Sequence, residues 1–230
     1  DNDGWLDIFT CDYEFSRPLS DYAAKEILHL QRPGDNTGKP YLFHNNHDGT
    51  FTNIAPGTGL FTTTFSMGGN FGDLNNDGFP DAYLGTGNIS YKSVIPNKMF
   101  LNLGGKNFTD ITSASRTGNL QKGHSVSIAD LDNDGDKDIF IEVGGAFPGD
   151  AYQNALYVNN LSAENNWISI SLTGVSSNRS AIGTKLKITI SENGTKRYIY
   201  QEVNSGGSFG SNPLRKETGL ASATIIDSLE

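Results

Sequence analysis

A nine-residue acidic segment that occurs twice in full is the feature that most limits what this chain can fold into. Residues 73–81 have the sequence Asp-Leu-Asn-Asn-Asp-Gly-Phe-Pro-Asp, and residues 130–138 have the sequence Asp-Leu-Asp-Asn-Asp-Gly-Asp-Lys-Asp. Asp130 follows Asp73 by 57 residues. A fixed period of this length is typical of proteins in which one small structural unit repeats along the chain.

Two further segments keep the same spacing. Residues 42–45, Leu-Phe-His-Asn, correspond to residues 99–102 and 156–159, and residues 51–54 correspond to residues 108–111. Residues 1–7 match the acidic segment without its first two positions. Asp81 follows Asp7 by 74 residues, so the first repeat is 17 residues longer than the second, an insertion expected in a surface loop at about 14–39. Three repeats are therefore predicted.

Each repeat is predicted to contain four short strands. The chain has 27 glycines and 22 phenylalanines and tyrosines, a composition that favours short strands joined by tight turns. Strands are expected at 66–72 and 123–129, directly before the complete acidic loops, and at 139–143 after the last one. Four strands in one repeat is the size of a β-propeller blade. The predicted fold class is all-β, with about three propeller blades over residues 1–162.

The repeat pattern ends before the last part of the chain. Residues 163–230 instead show alternating apolar segments at 168–172, 185–190 and 197–203, separated by turns rich in glycine and asparagine. This pattern predicts a small β domain, which we expect to pack on the last repeat.

The oxygen-rich acidic segments predict calcium sites. Calcium takes about six to eight oxygen ligands from carboxylates, amides and backbone carbonyls. Alternate side chains and one carbonyl of each segment can supply them, and the glycine allows a sharp turn. The predicted ligands of the complete loops are Asp73, Asn75, Asp77, Phe79 and Asp81, and Asp130, Asp132, Asp134, Asp136 and Asp138. The incomplete first loop keeps Asp1, Asp3, Trp5 and Asp7.

Other interpretations of the acidic segments fit less well. An EF-hand would place glutamate at the twelfth position between helices, where this chain has Leu84 or Ile141 in predicted strands. A solvated acidic turn would bring several carboxylates together without a cation, which is repulsive. Magnesium demands a tight octahedral shell and keeps its waters. The sequence therefore favours structural calcium.

The repeats resemble the FG-GAP and VCBS repeats of integrin-α-like propellers, which pair this calcium loop with a Leu-Phe-x-Asn strand. Residues 166–172, 178–183 and 201–210 resemble the ASPIC/UnbV module of the cartilage acidic protein and UnbV-like family. One departure is Glu217-Thr-Gly-Leu-Ala221, where that module usually has His-Phe-Gly-Leu-Gly. A closed propeller has about four to eight blades, so we expect the chain to be a fragment with further blades before residue 1.

No catalytic site is evident in the sequence. His29, His44, His47 and His124 do not form a recognisable metal or acid–base motif, and no nucleophile elbow, phosphate loop or dinucleotide fingerprint occurs. His44 and His47 lie on a predicted strand and hairpin rather than on one helix face, so a zinc pair is disfavoured. We expect a non-catalytic protein. The alternative is part of a polysaccharide-active enzyme whose catalytic site lies outside this fragment.

The resemblance implies a calcium-stabilised extracellular scaffold for binding or adhesion, located outside the cell, at the cell surface or in the periplasm. The expected partner is a protein or a glycan. Candidate contact residues are Tyr91, Phe147 and Tyr152, in loops at 85–96 and 144–154. The net charge of −9 disfavours nucleic acid as a partner, and no apolar run is long enough to insert into a membrane.

Overall fold

The computed structural model describes all residues except 14–20, 22–23, 26, 31–37, 88–93, 146, 161–164 and 193. The described chain is nearly all β, which confirms the predicted fold class. Its strands form several small antiparallel sheets rather than one continuous sheet. Within the described residues, no helix is long and apolar enough to cross a membrane.

The second repeat forms a complete four-stranded antiparallel sheet. Its strands are β4 (Ser66–Gly72), β5 (Asp81–Thr86), β6 (Lys98–Leu103) and β7 (Asn107–Asp110). They pair in chain order, so the sheet is a simple meander. The acidic loop at 73–81 joins β4 to β5, and the Leu-Phe-x-Asn segment lies on β6. This is the arrangement expected for one blade.

Among the residues that the structure describes, the first and third repeats each form a three-stranded sheet. The first contains β1 (Ile8–Thr10), β2 (Tyr41–Asn45) and β3 (Phe51–Asn53), followed by a 3₁₀ turn at Ala55–Gly57. The third contains β8 (Gly123–Ala129), β9 (Asp138–Val143) and β10 (Ala155–Tyr157), after the short helix α1 (Thr112–Ser115). Strands β4 and β8 have the predicted bounds.

The sheets of successive repeats pack face to face. Strand β5 is buried along its whole length, and its side chains alternate between two cores. Ala82 and Leu84 join a core with the first repeat, whereas Tyr83 joins a core with the third. The β4 and β8 backbones also approach closely, since a Cβ at Gly68 would overlap the carbonyl of His124. Glycine in β4 is therefore required by this packing.

The C-terminal part of the chain has a core of its own. Strands β11 (Asn166–Ile170) and β14 (Lys216–Ala221) form one sheet. A second sheet contains β12 (Lys185–Glu192), β13 (Thr195–Glu202) and β15 (Ile226–Leu229), with β12 in the centre. Ile188, Ile190 and Ile199 are fully buried between these sheets. We refer to residues 166–230 as the C-terminal module.

Candidate functional site

The second acidic loop folds around its own carboxylates. Asp77 N donates to Asp73 Oδ1 at 3.0 Å, and Gly78 N donates to Asp73 Oδ2 at 2.9 Å. Asn75 faces Asp77, with its Nδ2 3.1 Å from Asp77 Oδ2. Gly78 has a φ of +89°, a conformation that glycine adopts without strain. The loop therefore turns sharply enough to bring the predicted side-chain ligands at 73, 75 and 77 together.

The third loop gathers three carboxylates. The ligand oxygens of Asp130, Asp132 and Asp134 lie within 4.8 Å of one another. Partial desolvation and then the charge of Asp134 raise the pKa of Asp132. Asp130 is buried, and within the described part of the chain its Oδ1 has no hydrogen-bond partner. A buried carboxylate oxygen without a donor is unfavourable unless a cation is bound, so this donor set fits a hard cation such as calcium.

The ninth-position aspartates are anchored to the neighbouring strands. Asp81 accepts hydrogen bonds from Leu74 N and Asn102 N, both at 2.8 Å. Asp138 likewise accepts from Leu131 N and from Asn159 N. As the structure describes them, the three gathered carboxylates of the third loop do not include Asp138. The asparagine of each Leu-Phe-x-Asn segment thus holds the last aspartate of the loop, which explains why these two motifs keep one spacing.

Burial also changes the acidity of the second loop. It raises the pKa of Asp81 to about 7, although the two backbone donors lower it. Burial likewise raises the pKa of Asp73, opposed mainly by the nearby charge of Lys137. Both shifts have the cause expected when carboxylates are removed from water without a full complement of positive charge. The residues therefore favour a cation on electrostatic grounds as well as by donor type.

The first loop differs because two histidines face it. His44 Nδ1 lies 3.2 Å from Asp1 Oδ2 and 3.3 Å from Asp7 Oδ1. His47 Nε2 lies 2.6 Å from Asp3 Oδ2, and its ring stacks on Trp5 at 4.9 Å between centroids. The sequence did not connect these histidines with the loop. The signal that could have done so is their position on either side of Asn45, whose backbone N–H donates to Asp7 Oδ1.

A second group missed from sequence joins the loops to one another. Asn2 Nδ2 donates to the carbonyl of Gly78 at 2.9 Å, and Asn76 Nδ2 donates to the carbonyl of Gly135 at 3.0 Å. Asn76 also reaches Asp136 Oδ1 at 3.2 Å, so the Asp136 side chain faces the second loop. The signal that could have revealed this group is an asparagine at the same position in all three loops, which is Asn133 in the third.

The predicted partner residues Phe147 and Tyr152 lie in the segment between β9 and β10. Phe147 and Tyr152 are 49% and 45% exposed, large values for aromatic side chains. Tyr91 lies outside the described residues. A cleft of about 830 Å³ is lined by residues of the repeats and of the C-terminal module, and its walls include Phe9, Tyr13 and Tyr200. Aromatic groups among the described residues thus include some on an exposed segment and some in a cleft.

Comparisons with known proteins agree with this architecture. A family model described as FG-GAP-like repeat matches residues 1–84 and 88–141. A second model, described as ASPIC and UnbV, matches residues 174–230. No curated protein matches the chain.

Proposed function

The chain belongs to the FG-GAP-like repeat family, and on that premise we propose that it is a calcium-stabilised extracellular scaffold that binds a protein or glycan surface. Its two domain types indicate a binding or scaffold protein with a propeller-like fold. The observation that carries the calcium part of the proposal is the third loop, where Asp130, Asp132 and Asp134 gather and, among the described residues, the buried Asp130 Oδ1 has no hydrogen-bond partner.

Calcium would have a structural role in this proposal. The loops join β4 to β5 and β8 to β9, so a cation held by them fixes the angle between the paired strands of each blade. The ligands would be those predicted in the loops at 73–81 and 130–138, with the first loop contributing Asp1, Asp3 and Asp7. A divalent cation offsets the repulsion among these carboxylates. Millimolar calcium outside the cell suits weak sites of this kind.

The partner would bind at aromatic groups on the surface. Phe147 and Tyr152 lie on one exposed loop region, and Tyr13 and Tyr200 line the cleft. Aromatic side chains supply large contact areas in protein and glycan recognition. Binding to immobilised glycans and to extracellular matrix proteins, measured for the wild type and for Phe147→Ala and Tyr13→Ala variants, distinguishes the two surfaces.

We propose no catalytic role for the described residues. The carboxylates that could act as a pair in glycoside hydrolysis belong to the acidic loops, where they accept backbone hydrogen bonds that fix the turn. Release of reducing sugar from polysaccharides bound by this chain would contradict this assignment and would favour an enzyme instead.

Thermal unfolding with and without calcium tests the proposal. A ligand at about 100 times its Kd stabilises the folded state by about 2.7 kcal/mol per site. For two complete loops the gain is about 5 kcal/mol, which corresponds to a rise in Tm of roughly 10–20 °C for a chain of this size. We expect this rise with calcium over excess EDTA and a much smaller one with magnesium. Identical melting curves in calcium and EDTA would refute the proposal.

A further inference from the structure

The C-terminal module contacts all three acidic loops, in addition to the packing on the last repeat that the sequence predicted. On the first loop, Tyr200 N donates to Asn2 Oδ1 at 2.7 Å. The Tyr200 ring also lies against Gly4, where a Cβ would be 3.1 Å from the ring carbons. The module therefore reaches the repeat that is most distant from it in the sequence.

The second loop is hydrogen-bonded to two strands of the module. Gly219 N donates to Asp73 Oδ2 at 3.0 Å, and Ala221 N donates to the carbonyl of Asn76 at 2.9 Å. Arg197 Nη1 donates to the carbonyl of Asp77 at 2.6 Å. Two module strands, β13 and β14, are thus attached to residues 73, 76 and 77 of one loop.

The third loop is held by a pair of charged residues and a tryptophan. Asp130 N donates to Glu217 Oε2 at 3.1 Å, and Arg215 Nη2 donates to the carbonyl of Asp130 at 3.2 Å. Arg215 and Glu217 are paired with each other at 2.6 Å. Trp167 covers Gly135 so closely that a Cβ there would overlap the indole ring. The module can therefore pack here only against a loop of this shape.

These contacts are compatible with a cation in the loops. Arg197 and Arg215 point at backbone carbonyls, and their charges are matched by Glu192 and Glu217 of the module itself. The contact to the Asp73 carboxylate comes from a neutral donor, Gly219 N. The module thus leaves the negative charge of the loops in place. The module thus packs against a loop whose Asp73, Asn75 and Asp77 side chains are already gathered, and it brings no unmatched positive charge to them.

We propose that calcium loading of the acidic loops and docking of the C-terminal module are positively linked, so that calcium holds the module on the repeats and its removal releases the module. This inference rests on the proposed calcium binding. Linkage is reciprocal: whatever calcium adds to docking, docking adds to calcium affinity. A coupling in the usual range gives a change of roughly five- to 150-fold in either equilibrium.

Gly219→Ala tests the linkage without changing a predicted ligand. A Cβ at Gly219 would overlap the backbone of Asn76, so the substitution displaces β14 from the second loop. Gly144→Ala is the matched control, because a Cβ there meets no atom within 4 Å. Calcium titration calorimetry of the 230-residue chain should show an affinity roughly tenfold weaker for Gly219→Ala and unchanged for Gly144→Ala. Arg197→Met, which removes the hydrogen bond to Asp77, should weaken binding in the same direction.

Hydrogen exchange provides the reciprocal measurement. In calcium the amides of Gly219 and Ala221 should be protected, and in EDTA they should exchange about tenfold faster or more, while amides within the β12–β13 hairpin keep their protection. Unchanged calcium affinity in folded Gly219→Ala and Arg197→Met would overturn the linkage and leave the proposed function intact. Equal acceleration through every strand would also overturn it. A wild type that binds no calcium would refute the proposed function and the linkage together.

Discussion

The side-chain amide of Asn76 donates a hydrogen bond to the carbonyl oxygen of Gly135, 3.0 Å away, and so joins the second acidic loop to the third. Asn2 makes the same contact with Gly78, one repeat earlier. Both asparagines have a left-handed backbone, with φ of 57° and 68°, a conformation that asparagine tolerates better than most residues. One residue type thus satisfies two requirements, the turn within a loop and the bond between loops.

Asn76→Ala should destabilise the protein more than the equivalent change at Asn133. It removes a buried hydrogen-bond donor, a loss of about 1–3 kcal/mol, and places alanine at a left-handed φ, which costs about 1–2 kcal/mol. Asn133 has a φ of 64°, but its side chain is exposed and accepts an exposed hydrogen bond of 3.3 Å from Arg215, so Asn133→Ala should lose little beyond the conformational part. Urea unfolding in calcium measures both. Equal losses would show that the bond between loops contributes nothing.

Several strands could be predicted because the repeat fixes them. β4 and β8 precede corresponding loops and have the same length, so the spacing alone located them. β14 was missed, since Lys216-Glu-Thr-Gly-Leu-Ala221 has no regular alternation and a single β-branched residue. Its strand structure depends on pairing with β11, about 50 residues earlier in the chain. Local sequence patterns carry no information about such a partner.

The loop side chains could likewise be predicted only where the interaction is local. Carboxylate spacing within nine residues was enough to predict the metal ligands. The positions of Lys137, Arg197 and Arg215 depend on how neighbouring repeats and the module approach each loop. Lys137 Nζ, for example, reaches the carbonyl of Asp73, 64 residues away in sequence. Such contacts depend on how the blades pack against one another. The repeat period predicts that the blades pack, but it does not predict which side chains meet.

Asn212→Ala should weaken the attachment of the module to strands β4 and β8. Its Nδ2 donates to the carbonyl of Phe71 at 2.9 Å, and its Oδ1 accepts from Ile128 N, also at 2.9 Å. The substitution leaves both backbone groups without this partner, so we expect a loss of about 2–4 kcal/mol. Asn166→Ala, which removes one exposed contact of 3.4 Å, serves as the control and should change stability by less than about 0.5 kcal/mol. Similar unfolding midpoints for the two variants would contradict this expectation.

Lys137→Met tests the buried cation between the second and third loops. Lys137 is 6% exposed, and its Nζ donates to the carbonyl of Asp73 at 2.9 Å. Methionine keeps much of the volume but removes the charged hydrogen bond, so we expect a loss of about 1.5–3 kcal/mol. Lys98→Met breaks a surface ion pair with Asp110 and should cost at most about 1 kcal/mol. Denaturant unfolding of both variants in calcium provides the comparison, and equal effects would count against a special role for the buried cation.

Asp134→Asn should change stability in opposite directions with and without calcium. In EDTA the substitution removes one of three carboxylates whose oxygens lie within 4.8 Å, which relieves a repulsion of about 1 kcal/mol. In saturating calcium it removes a ligand, so the loop loses up to about 2.7 kcal/mol of stabilisation from that site. The variant should therefore melt above the wild type in EDTA and below it in calcium. Asp48→Asn, on an exposed turn outside the loops, should show no such reversal. A variant that melts below the wild type by the same amount in both conditions would mean that Asp134 supports the loop without binding the cation.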